Sequence, residues 1–127
     1  MTIELNHTII QAKDAEVSAK FLAEMLGLPS PTSFGPFIVV KTSNDVSLDF
    51  RTTTSEIKSR HFAFLVNEQE FDEIFHRITQ KQLKYWADPG QTKPQQINHN
   101  DDGRGCYFLD PDGHFLEIIT KPYGSAP

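Results

Sequence analysis

Four residues in this chain have the types and spacing to bind a metal. His7 and His61 each stand in the opening strand of a half-chain, and Asp49 in VSLDF and Glu117 in HFLEII each stand between apolar neighbours in a closing strand. Imidazole nitrogen and carboxylate oxygen are donors that suit Fe(II), Mn, Ni, Co or Zn. Two histidines with one or two carboxylates on facing strands therefore match a mononuclear site that keeps positions open for a substrate. Taken singly, each residue has an ordinary alternative, because a strand histidine is usually a hydrogen-bonded core or edge residue. The case rests on four such residues at matching places.

Matching places require matching elements, and the chain supplies two half-chains of the same order. Ile3, Leu5, His7 and Ile9 alternate with Thr2, Glu4, Asn6 and Thr8, which predicts a strand with a histidine on its more apolar face. Asp14 offers an N-cap to a helix whose apolar residues Val17, Phe21, Leu22, Met25 and Leu26 recur at three- and four-residue steps, and Gly27 with Pro29 ends it. The segments 37–41 and 46–51 flank a polar turn and read as a hairpin. The second half repeats the order. Phe62, Phe64 and Val66 alternate in a strand, Asn67 and Glu70 form a capping box, and Phe71, Ile74, Phe75 and Ile78 make one helical stripe. A short strand is expected at 84–86, then a long polar loop over 87–105. Strands at 106–109 and 114–120 follow, joined by the DPDG turn. The polar stretch 52–59 lacks periodicity and is the natural seam, giving modules 1–56 and 57–127.

Composition narrows the class. The chain has 127 residues, 38% hydrophobic and 23% charged, and a formal net charge of -5. That describes one globular domain able to bury about two thirds of its unfolded surface without disulfides. One cysteine, Cys106, makes no intrachain disulfide. The start MTIELNHTII has neither a basic leader nor an apolar span, so a cytoplasmic protein is expected. Without a block of Lys or Arg, neither nucleic acid nor an anionic membrane is an expected partner, and a small-molecule substrate is.

The residues 7–28, HTIIQAKDAEVSAKFLAEMLGL, are similar to the opening signature of glyoxalase I, with departures at Ala12 and Leu22. HFAFLV and CYFLDPDGHFLEIIT resemble the same vicinal oxygen chelate superfamily, so that the likeness covers nearly the whole chain. It implies an α+β fold of paired βαβββ modules forming a curved mixed sheet around a metal-binding cup, commonly completed as a homodimer. Carried over by position, it implies metal ligands at His7, His61 and Glu117, with Asp49 where glyoxalase I has a glutamate. Asp is one methylene shorter, and pairing of Asp49 with Arg51 on a polar strand face is the alternative to ligation. Residues 97–117 also resemble the extradiol dioxygenase signature, with a departure at Cys106. This likeness implies His99 as an acid/base near bound oxygen and Tyr107 beside the substrate, with Glu117 also at the reacting centre.

Among the other candidates, Arg104 has the planar fork to hold a substrate carboxylate or phosphonate, against the solvated role of most loop arginines. His114 shares the strand face of Leu116 and Ile118 and is expected to point away from the metal. His76 is expected on the helix surface. Trp86, Tyr85 and Phe34 suit either an aromatic pocket wall or core packing. Cys106 has no activating group in sequence. The expected activity is therefore that of a divalent-metal enzyme on a substrate with two adjacent oxygens. Dioxygenase chemistry with Fe(II) comes first, before a glyoxalase-like isomerase or lyase and a fosfomycin-type thiol transferase. The competing class is a metal-free drug-binding protein of the bleomycin-resistance type.

Overall fold

The computed structural model describes residues 2–127, which divide into two compact units, 2–58 and 59–127. The division falls inside the polar 52–59 stretch. Each unit is a βαβββ module. The first runs β1 (His7–Ala12), α1 (Ala15–Leu26), β2 (Thr32–Phe34), β3 (Phe37–Lys41) and β4 (Ser47–Thr52). The second runs β5 (His61–Leu65), α2 (Glu68–Gln80), β6 (Tyr85–Trp86), β7 (Gly105–Leu109) and β8 (Phe115–Ile119). Both sheets are mixed, in the order β1-β4-β3-β2 and β5-β8-β7-β6, and in each the first and last strands of the module pair in parallel. This is the expected α+β architecture.

The helices begin and end where local chemistry dictates. Asp14 Oδ1 accepts from the amides of Glu16 and Val17, and Gly27 closes α1 in the left-handed region at φ 69°. In α2, Asn67 and Glu70 complete a reciprocal capping box. The predicted stripe of α2 is the buried one, since Phe71, Ile74 and Ile78 are enclosed.

Two expectations about the first unit are corrected. Its first strand begins at His7, not at residue 2, and the enclosed side carries Ile10 and Ala12. Ile3, Leu5 and Ile9 are exposed. The parity is set by the partner strand, where Leu48 and Phe50 lie opposite Thr8 and Ile10 and are themselves buried. In α1 the buried face is Ala15, Ser18, Ala19, Leu22, Ala23 and Met25, while Val17 is exposed. Small residues on that face let the helix lie close to its sheet, which a search for large apolar residues overlooks. The edge strand β2 gives no alternating signal in TSF; it pairs with β3 across a turn that needs Gly35 at φ 57°. No helix among the described residues is long and apolar enough to cross a membrane.

Candidate metal centre

Strand register places the four candidate donors at equivalent positions. In the second unit His61 pairs with Phe115 and Ala63 with Glu117, and in the first His7 pairs with Ser47 and Ile9 with Asp49. Each histidine thus opens its strand, and each carboxylate sits third in the parallel neighbour, on the same sheet face.

The second unit brings its two donors together. The Glu117 side chain is wholly enclosed, and its Oε1 lies 2.8 Å from His61 Nε2, whose ring is half exposed. Its other oxygen, Oε2, accepts from the Tyr123 hydroxyl, and that hydroxyl lies 3.1 Å from the hydroxyl of Tyr107. Tyr107 sits directly across the strand pair from Glu117, with its ring 5.8 Å from His61 and 5.4 Å from Phe115. Burial, followed by the hydrogen bond with Tyr123, pushes the Tyr107 phenol far above its ordinary range, and burial with the hydrogen bond to Glu117 raises Tyr123. Both phenols therefore remain protonated donors at neutral pH. An imidazole nitrogen and a carboxylate oxygen in contact at one edge of an open strand face are the donor types a divalent cation takes.

In the first unit the equivalent residues have other partners. His7 Nδ1 lies 2.7 Å from Asn6 Oδ1, and Asp49 Oδ1 accepts from Ser47 Oγ at 2.6 Å. Ser47, rather than Arg51, is the neighbour that engages Asp49. His7, Asp49, Ile9, Val39 and Phe34 line an open cavity of about 560 Å³. Among the described residues no group of three or more His, Cys, Asp or Glu side chains is arranged to hold a metal ion.

The loop from 87 to 104 carries His99. Asp88 collects the amides of Thr92 and Lys93 and the Thr92 hydroxyl, Gln95 donates its amide to Tyr85, and Asn98 exchanges two backbone bonds with Gly105. The Asn98 side chain also donates to the Ala87 carbonyl. A Cβ at position 105 would lie 2.9 Å from Asn98 Oδ1, so glycine is what admits that contact. His99 is exposed and lines a cavity of about 410 Å³ together with Tyr107, Asn98 and Asp88.

Arg104 lies against α2. Its Nε and Nη1 donate at 2.8 Å to Glu68 and Asp72, and its guanidinium stands 4.4 Å over the Phe71 ring. The fork that sequence offers to a substrate is occupied by these carboxylates. His114 is buried on the Leu116 side, where its Nδ1 accepts from the Arg60 amide, and His76 is on the surface of α2. Trp86 stands edge-on to Phe115 while Tyr85 faces Phe75, so the two aromatics of β6 serve opposite sheet faces. Burial pushes the Cys106 thiol up to about 12. No periodicity or motif in the sequence marks Tyr123. It reaches Glu117 only because Pro122–Ser125 turns back, with Gly124 at φ 79°.

The model of the Glyoxalase/Bleomycin resistance protein/Dioxygenase superfamily matches residues 4–118. The chain belongs to this superfamily. Two solved structures, Oxidase ChaP-H1 and Oxidase ChaP-H2, are 57% and 54% identical to it. They cover 97% and 100% of this chain and 99% and 100% of their own, with TM-scores of 0.96 and 0.97. Glutathione transferase FosA of Serratia marcescens is 29% identical over 125 residues, 93% of this chain and 81% of that protein. Metallothiol transferase FosB of Lysinibacillus sphaericus is 26% identical over 126 residues, 94% of this chain and 84% of that protein.

Proposed function

We propose that this superfamily member is a divalent-metal-dependent oxidative enzyme of dioxygenase type, acting on a small substrate with two adjacent oxygens. The observation that carries this reading is its 57% identity, over nearly the whole of both chains, with a protein named as an oxidase. His7, His61 and Glu117 are the proposed ligands. Support comes from the contact of His61 with the buried Glu117 and from the equivalent strand position of His7. Once bound, the ion supplies Lewis acidity and a template for the substrate oxygens, and Fe(II) is the choice that suits oxidative chemistry. Around it the chain provides proton-handling groups. Tyr107 offers a protonated hydroxyl, and His99, on the wall it shares with Tyr107, is the group to take or return a substrate proton. Arg104, already bonded to Glu68 and Asp72, is read as holding the loop's end to α2.

The test is oxygen uptake. Protein loaded anaerobically with Fe(II) is expected to consume O₂ with at least one member of a panel of catechols and larger vicinally oxygenated aromatics. His61→Ala should abolish that uptake. Bound iron with no uptake across the panel would overturn the oxidative reading. The relation to FosA and FosB favours a second reading, transfer of a thiol to fosfomycin, which manganese-loaded protein with glutathione would reveal directly. A homodimer is part of the proposal. The exposed Ile3, Leu5, Ile9 and Phe34 of the first unit support it, and sedimentation checks it.

A further inference from the structure

We propose that Tyr123 is a positioning residue that makes Glu117 a one-oxygen metal donor, holding Oε2 so that only Oε1 faces the cation shared with His61. This rests on the metal reading above. A free carboxylate can close on a divalent ion through one oxygen or two, and which it does is decided by what engages the second oxygen. Here the two oxygens are already divided. Oε1 meets His61 Nε2, the neighbouring donor, and Oε2 meets the Tyr123 hydroxyl. The hydroxyl of Tyr107 backs that of Tyr123, so two phenols in series stand behind Oε2. The carboxylate is fully enclosed, and solvent does not compete for Oε2.

The backbone builds this arrangement. Beyond β8 the chain turns at Pro122–Ser125, where the Ser125 amide donates to the Pro122 carbonyl and Gly124 takes a positive φ. The Ala126 amide then donates to Asp101, tying the tail to the loop before β7. Tyr123 is thereby presented at the corner of a turn fixed on both sides. Residue 123 lies beyond residues 4–118, which the superfamily model matches.

Co(II) is the probe, because its visible absorption weakens as coordination number rises. Wild-type protein should bind one Co(II) per chain, and His61→Ala should lose it. Tyr123→Phe should bind Co(II) ~10–100-fold more weakly in calorimetric titration, the range expected when a hydrogen bond to a metal ligand is removed. Its visible band should also be weaker, as Oε2 joins the ion. Because the ring stays and the residue is half exposed, the metal-free variant should melt within a few degrees of wild type. Tyr107→Phe, which removes only the second phenol, should shift affinity in the same direction by less. A Tyr123→Phe variant with unchanged or tighter Co(II) binding and an unchanged band would overturn the inference while leaving the metal reading intact. So would a lowered metal-free melting temperature with unchanged Co(II) behaviour, which marks a structural role alone. Absence of Co(II) binding to wild-type protein would overturn the metal reading and the inference with it.

Discussion

The two units share a topology, a strand register and a histidine opening the first strand, yet they treat their carboxylates differently. Glu117 is enclosed and bonded to His61 and Tyr123, whereas Asp49 is half-buried and bonded to Ser47 of its own strand. Three neighbouring positions account for this. Where the first unit has Val39 across from Asp49, the second has Tyr107 across from Glu117. Where the first has Ser47 across from the histidine, the second has Phe115. A serine two residues away gives an aspartate a partner on its own strand. A phenylalanine gives none, and the longer glutamate reaches across to the histidine. The third position is Tyr123, whose turn reaches Glu117 from beyond the last strand. A repeated scaffold thus fixes where a side chain starts, and its nearest neighbours decide what it can bind.

The largest test of that difference is Glu117→Ala beside Asp49→Ala, read by metal content and by titration. Glu117→Ala should weaken metal binding by more than ~100-fold, since it removes the proposed ligand itself rather than a group behind it. Asp49→Ala should leave affinity within a small factor of wild type. Equal losses would make Asp49 a ligand and erase the distinction between the units.

A smaller effect concerns how each helix is tied down. The ion pair on α1 is an exposed Lys20–Glu24 contact at 4.0 Å, while α2 is clamped by Arg104 through two carboxylates and the Phe71 ring. Arg104→Ala should cost about 1–2 kcal/mol of stability, because exposed pairs and a ring contact each contribute up to ~1 kcal/mol. Part of that cost should vanish in high salt, and metal affinity should not change. Denaturant unfolding with and without salt measures both.

The smallest effect sharpens a core position. Ile38 lies across from Phe50 in the first unit, and Cys106 lies across from Ile118 in the second. Burial, with the nearby Glu117 charge second, raises the Cys106 thiol to about 12, whereas an unfolded thiol titrates near about 8.5. The folded chain therefore holds this proton more tightly. The stability it lends is complete below about 8.5 and is lost as pH rises toward about 12. Native protein at pH 8 should resist thiol reagents until it unfolds, and Cys106→Ala should remove that part of the alkaline loss.

Much of this was legible before the structure, and the reason is locality. Asp14, Gly27, Asn67 and Glu70 act on amides within a few residues, so their spacing is their mechanism. The parity of β1 was not legible, because alternation over residues 2–9 marks a face without saying which sheet side α1 covers. The positions of His61 and Glu117 follow from strand order. Their contact depends on Phe115 and Tyr107, which are neighbours only through the ladder. Arg104 and its acids are 32 and 36 residues apart, and a fork so distant from its partners looks free in sequence.

The loop beside His99 has one more consequence. Asp88, Gln95 and Asn98 fasten it to itself and to β6 and β7 in the protein alone. Its conformational entropy is lost during folding rather than at the moment of encounter, so a molecule entering the 410 Å³ cavity meets a wall already in shape. Discrimination among candidate molecules there should be governed by fit, and association should be rapid for those that fit.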